Sequence, residues 1–305
     1  MREPIISPSN AEQHNFRLGL FYAFAGTALF ALKSIFIKLA YAQGVDTVTL
    51  LTLRMLVAAP FYLAVLLWLL YKVKVAHPIH RDLLSIMLLG AMSYYASSYF
   101  DMQGLNYISA QLERLMLYTY PIMATLLGWL LFREAITRRI ILALVLTYSG
   151  VLLLYAYEAK LGGSNVSFGV LLVTISALIF AVYLVYSKRV LSRVTSPLFT
   201  SIAMLSATVC VFIHFLFTHA FSALWVNSTA WFYAFLLGFF STVLPSFMLT
   251  EAVSRIGAAR ASIMGAAGPI ITILLAVIFL GEPFGWAHFA GMVLVMIGVS
   301  LLGKK

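Results

Sequence analysis

Residues 121–151 read PIMATLLGWLLFREAITRRIILALVLTYSGV, and residues 269–299 read PIITILLAVIFLGEPFGWAHFAGMVLVMIGV. A shift of 148 residues lays one on the other without a gap. Pro121, Ile122, Leu126, Leu127, Glu134, Leu146, Gly150 and Val151 then meet Pro269, Ile270, Leu274, Leu275, Glu282, Leu294, Gly298 and Val299. Each stretch is an apolar run, a short turn carrying a glutamate, and a second apolar run. The same two-segment unit is therefore written twice, and the nature of those segments fixes the fold.

The chain has 305 residues, 63% of them hydrophobic and 10% charged. A soluble domain carries roughly 45–50% apolar and about 25% charged residues, so this chain could not cover a water-facing surface. Its apolar runs are about 20 residues long rather than the roughly 10 of barrel strands, which predicts membrane-crossing helices. Ten runs are expected: 18–40, 48–71, 83–102, 108–132, 139–157, 168–187, 196–218, 230–250, 257–280 and 284–303. Residues 1–17 form a polar tail, and no small-residue cleavage pattern follows the first run, which predicts an uncleaved first span.

The net charge of +10 is distributed by loop. Arg2 and Arg17, then Lys72, Lys74 and Arg81, then Arg133, Arg138 and Arg139 fall at one end of the helices. Lys188, Arg189 and Arg193, then Arg255 and Arg260, then Lys304 and Lys305 fall at the same end, and only Lys160 lies in the opposite loops. That alternation is the positive-inside pattern and predicts both termini in the cytoplasm. The excess of cations thus reports orientation, with no nucleic-acid partner implied. A bacterial-type inner membrane fits the short loops.

Cys210 is the single cysteine, so a disulfide within the chain is excluded. The six histidines lack ligand spacing, and no phosphate-binding glycine loop is present. No metal, cofactor, ATP-driven step or catalytic constellation is therefore expected.

Ten spans divide five and five. Besides the 148-residue register, a shift of 150 places Gly19, Phe30, Ala31 and Lys38 on Gly169, Phe180, Ala181 and Lys188. A shift of 149 places Met55, Leu56 and Ala58 on Met204, Leu205 and Ala207. The expected fold is an all-α membrane protein of two five-helix repeats, 18–157 and 168–303. An odd number of spans turns the second repeat upside down, an architecture of carriers that alternate access to a site near the midplane.

At these residues the chain resembles the drug/metabolite transporter superfamily, in particular its EamA-type ten-helix members. The segment FLGEPFGWAHFAGMVLVMIGVSLLG (279–303) is similar to that family's turn between helices 9 and 10. FREAITRRIILALVLTYSGVLLLY (132–155) is similar to the matching turn after helix 4, with Arg133 in place of the glycine. LTLRMLVAAP (51–60) resembles its helix 2, and SIFIKLAY (34–41) the end of its helix 1. The resemblance implies a central cavity and export or exchange of small metabolites, without naming one.

The repeat also separates frame from function. Pro121 and Pro269 occupy equivalent positions and are expected to bend their helices. Glu134 and Glu282 are expected to organise their turns. GAARASIMGAAGP (257–269) reads as a close packing face. In contrast, Lys33 falls opposite Tyr183, Arg54 opposite Ala203, Glu113 opposite Ala261 and Arg114 opposite Ser262. These charges belong to the first half alone. Each costs roughly 2.5–3.5 kcal/mol at the bilayer centre, so something must compensate it.

Rise per residue places all four about 9 Å below one membrane face. In YYASSYFD (94–101), the spacing of Tyr94, Ser98 and Asp101 predicts a shared helix face. Arg114, Tyr118 and Pro121 are predicted to share another, as are Glu113, Leu117 and Tyr120. Lys38 and Asp101 lie near the outer end, where both can reach water. Three roles compete for the layer: a solute site, an outer gate, or ion pairs that serve the fold alone. As a site, Lys33, Arg54 and Arg114 would hold a carboxylate, while Glu113 and the tyrosines would take an ammonium. Three cations against one carboxylate point to zwitterionic or anionic solutes, amino-acid-like ones above all. Glu113 is the candidate for proton coupling. The alternatives are a proton antiporter for organic cations and, of another class, a membrane enzyme or a scaffold.

Overall fold

The computed structural model describes residues 10–72, 80–133, 135–161 and 165–302. Every described element is helical. In chain order they are α1a (Asn10–Ala31) and α1b (Lys33–Tyr41), α2 (Thr47–Lys72), α3a (His80–Gly90) and α3b (Ser98–Gly104), α4a (Ala110–Leu117) and α4b (Tyr120–Phe132), and α5 (Arg138–Leu161). The second half holds α6 (Val166–Leu191), α7 (Ser196–Thr218), α8a (Ser228–Phe235) and α8b (Leu244–Ile256), α9a (Ala258–Gly265) and α9b (Gly268–Leu280), and α10 (Trp286–Leu302). Counted through their breaks, eight helices are long and apolar enough to cross a membrane, while Gly268–Leu280 and Trp286–Leu301 are shorter. The expected ninth span is thus divided by a break at residues 266–267.

The breaks repeat in register. Residues 118–119 and 266–267 are both turns, 148 apart. Thr119 N donates to Met116 O at 3.0 Å, and at the equivalent place Ala267 N donates to Met264 O at 3.1 Å. Each proline stands in the first turn of the following helix. There its missing N–H is not needed and its fixed φ starts the helix well. Pro121 and Pro269 therefore begin new helices rather than kinking continuous ones. The π-helical stretches Ala91–Ser97 and Leu236–Val243 interrupt the third and eighth spans in the same way.

The ends repeat as well. Helix α9b stops at Gly281, with φ 64°, and α4b stops at Arg133, with φ 57°. Both adopt the left-handed conformation that closes a helix, and Arg133 does so without glycine's freedom. Gly150 and Gly298 let α5 and α10 touch backbone to backbone. A Cβ on Gly150 would meet Gly291 O at 2.6 Å, and one on Gly298 would meet Ala143 O at 2.8 Å. The small-residue stretch before Pro269 packs only in part. Ala261 is buried and a Cβ on Gly268 would strike the Tyr118 hydroxyl, but nothing lies within 4 Å of one on Gly257 or Gly265.

Packing differs between the two ends of the bundle. At the end away from residues 10 and 302, one core joins α1b, α2, α3b, α4a, α8a and α9b through Ile37, Leu50, Leu53, Met102, Leu105, Ala110, Ala230 and Ala276. At the end where residues 10 and 302 lie, two separate clusters form. One holds Leu69, Ile86, Leu89, Val190, Phe199 and Ala203 of α2, α3a, α6 and α7. The other holds Ala23, Ala252, Ile256 and Ala261 of α1a, α8b and α9a. Tyr62 of the far-end core joins α2 to α8b, with its hydroxyl 2.8 Å from Ser246 Oγ and its ring 5.7 Å from Phe247. The far-end core is thus shared by more helices than either of these two clusters.

Candidate functional site

The site is built where α1 breaks. Leu32 interrupts the helix, and α1b restarts with Lys33 and Ser34 in its first turn. Both side chains turn into the bundle. Lys33 Nζ lies 2.5 Å from Asp101 Oδ2 of α3b. Ser34 Oγ donates to Glu113 Oε2 at 2.7 Å and accepts from Arg114 Nη2 at 3.2 Å. The same Nη2 reaches Phe30 O at 3.3 Å, and the Phe30 ring lies 5.6 Å from the guanidinium carbon. One serine therefore holds the glutamate and the arginine apart, each on its own side.

Helix α4a is anchored so that this meeting is possible. Ser109 caps its first turn by accepting from Leu112 N at 2.9 Å. Glu282 accepts from Ala110 N at 2.8 Å and Gln111 N at 3.3 Å. Glu158 accepts from both the backbone N–H and the hydroxyl of Ser109. Two carboxylates at a helix N-terminus satisfy its free N–H groups and its dipole together. Glu282 thus ties the second half to the first; Glu134 lies outside the described residues. Beside this cap a cavity of about 290 Å³ opens at the far end, lined by Tyr107, Ser109, Gln111, Tyr157, Glu158 and His288 among others.

Arg54 sits next door on α2. Its Nε donates to Thr242 Oγ1 at 2.9 Å, and Nη1 points at Met102 Sδ, 4.0 Å away. All five charged side chains are buried: Glu113 is 0% exposed, Asp101 1%, Arg114 2%, Arg54 4% and Lys33 6%. Asp101 therefore does not reach water, contrary to its expected place near the membrane face; the ion pair with Lys33 holds it inside. Lys38 is half-buried.

Charge and hydrogen bonding are incompletely matched here. Lys33–Asp101 is the one ion pair among these five residues. Arg54 and Arg114 have only neutral partners. Asp101 Oδ1, Glu113 Oε1 and Arg114 Nε have no hydrogen-bond partner at all. Buried polar atoms are normally paired, and leaving one unmade costs about 1–3 kcal/mol, more when charged.

The aromatic residues form a strip leading away from the cluster. Tyr94 and Tyr183 bring their hydroxyls to 3.4 Å. Tyr183 stacks on Phe180 at 5.6 Å, Phe180 meets Tyr120 edge-on at 5.0 Å, and Tyr120 lies 6.5 Å from Tyr118. Tyr118 donates to Gly265 O at 2.5 Å, which links the broken fourth and ninth helices. Ser98 is buried at the start of α3b. A π-helical stretch separates Tyr94 from Asp101, yet both lie near enough to Arg54 of α2 to act on its charge. Tyr94 also approaches Tyr183 of α6, and Asp101 pairs with Lys33 of α1b. Helix α4 likewise breaks at Tyr118, so Arg114 and Pro121 share no continuous face.

The structure brings the expected Lys33, Glu113 and Arg114 together with Arg54 nearby, and adds Ser34, Phe30 and Thr242, which sequence reasoning did not single out as their partners. Phe30 carried a signal, since it repeats as Phe180. Ser34 and Thr242 carried none. Among the described residues, no group of three or more His, Cys, Asp or Glu side chains could hold a metal.

Comparison with known proteins agrees with this frame. Residues 17–156 and 167–304 each match the family described as EamA-like transporter family. The uncharacterized transporter YcbK of Bacillus subtilis (strain 168) is 29% identical over 284 residues, covering 90% of this chain and 88% of that one. The uncharacterized transporter YetK of the same organism is 24% identical over 267 residues, covering 83% and 78%. A solved crystal structure superposes with a TM-score of 0.66 at 17% identity, covering 93% of this chain and 95% of that one, which shows the fold.

Proposed function

We propose that this chain, which belongs to the EamA-like transporter family, is a secondary carrier that exports or exchanges amino-acid-like solutes by alternating access. A multi-pass membrane transporter is what the family establishes; the solute and the mechanism are inferred from the site. The observation that carries them is the trio of unpartnered buried atoms. Asp101 Oδ1 and Glu113 Oε1 are acceptors, and Arg114 Nε is a donor. An ammonium group supplies donors to the first two, and a carboxylate supplies an acceptor to the third. A zwitterion carries both. Arg54, whose partners are neutral, adds a second cation for the carboxylate end.

The two halves, read as residues 18–157 and 168–303, cross the membrane five times each, so the second is inverted relative to the first. With the basic loops cytoplasmic, both termini lie inside, and the far end, with the cap at Ser109, lies outside. An exporter of a plasma membrane loads its solute from the inner side. The strip from Tyr118 and Tyr120 to Tyr94 and Tyr183 gives bulky side chains a wall.

Solute counterflow in proteoliposomes tests this, comparing zwitterionic amino acids, organic anions and lipophilic cations in the wild type and Arg114→Met. Amino-acid exchange that the substitution abolishes is the expected result. Exchange of lipophilic cations alone, unaffected by the substitution, would overturn the reading in favour of a cation antiporter.

A further inference from the structure

Asp101 and Glu113 are carboxylates from different helices, within hydrogen-bonding range of one another and fully enclosed. Their outer oxygens are taken: Oδ2 of Asp101 by Lys33, Oε2 of Glu113 by Ser34. The remaining two, Asp101 Oδ1 and Glu113 Oε1, have no donor. A carboxylate only accepts, so two of them pressed together repel and leave both oxygens unsatisfied. One proton between them turns that repulsion into a hydrogen bond and satisfies both.

We propose that Asp101 and Glu113 share one proton when no solute is bound, and that the solute's ammonium group displaces it. This rests on the reading of the site as one for amino-acid-like solutes. Proton and ammonium need the same two acceptors, so binding of one excludes the other. The displaced proton passes to water on the side from which the solute enters, and the two carboxylates then face the ammonium. Exchange in opposite directions follows, one proton for one ammonium. The carboxylate of the solute plays no part in it, since its partners are Arg114 and Arg54. A 2-oxo acid of the same side chain therefore binds without releasing the proton.

The groups that act on the pair come from several helices. Lys33 and Tyr41 face it from α1b, Arg54 from α2 and Arg114 from α4a. Helices α6 and α9b also pack here and bring no ionisable side chain to this level. Glu158 and His288 lie further out, around the cap at Ser109.

Infrared difference spectroscopy of the full-length protein in lipid discs reads the proton directly. The expected result is a protonated-carboxyl band in the solute-free wild type at neutral pH, lost in Glu113→Gln and lost on alkalinisation. Adding L-phenylalanine or L-leucine should remove it and release one proton per solute bound, whereas the matching 2-oxo acids should leave it intact. A wild-type spectrum without the band overturns the shared proton and leaves the transport reading standing. A band that persists at saturating amino acid overturns the exchange. Removal of the band by sodium ions alone would make this a sodium site and overturn it too. The wild-type measurements stand even if Glu113→Gln fails to fold.

Discussion

Lys33 and Arg54 are both buried cations of the first half, but they are held differently. Lys33 is ion-paired with Asp101, so removing either partner strands a charge in the bundle. Lys33→Met should cost about 3–5 kcal/mol of stability, and adding Asp101→Leu should restore most of it. Thermal unfolding of the single and double variants in detergent checks this; strictly additive losses would show that the pair is not a unit. Arg54 has no carboxylate to strand, only Thr242, which itself donates to Leu237 O at 2.9 Å. Arg54→Met should therefore keep stability within about 1 kcal/mol of the wild type, since an apolar side chain replaces an uncompensated buried charge. Counterflow in that variant should fall to background. A variant that unfolds instead would make Arg54 a structural residue.

At the scale of the element, the closing residues of the helices are the informative ones. Arg133 stands in the left-handed conformation where the equivalent Gly281 stands at no cost. A non-glycine residue there costs roughly 1–2 kcal/mol, partly offset by glycine's greater freedom in the unfolded chain. Arg133→Gly should thus stabilise the protein by about 0.5–1 kcal/mol, read as a raised Tm. A lowered Tm would mean that the arginine side chain outweighs its backbone. Glu282 caps α4a from across the repeat boundary. Glu282→Ala should cost about 0.5–2 kcal/mol, typical of a lost N-cap. It should also loosen the far end. In a Cys210→Ser background, Gln111→Cys should react faster with an impermeant thiol reagent applied at the far end once Glu282 is gone. Unchanged reactivity would confine Glu282 to helix capping.

At the scale of the whole molecule, the proposed alternating access requires that one end of the bundle be open to the site while the other is shut. Tyr120→Cys, again without Cys210, should react with a reagent supplied at the terminal end and resist one supplied at the far end; equal labelling from both would describe an open pore instead. The sequence by itself determined the membrane class, the helices, the repeat and the one-sided placement of Lys33, Arg54, Glu113 and Arg114. Length, apolarity and internal register are local or self-referential properties, so a single chain reveals them. Only the tertiary structure decided which charge meets which. Lys33 and Asp101 are 68 residues apart in sequence, and Arg54 and Thr242 are 188 apart. Rotation of each helix about its axis fixes such meetings, and the π-helical turn before Ser98 and the break at Tyr118 reset that rotation. Depth along the helix pointed Asp101 toward water, and periodicity read through the break joined Arg114 to Pro121. Packing instead turned Asp101 onto Lys33, because a carboxylate buried beside an ammonium is stable where a lone one is not.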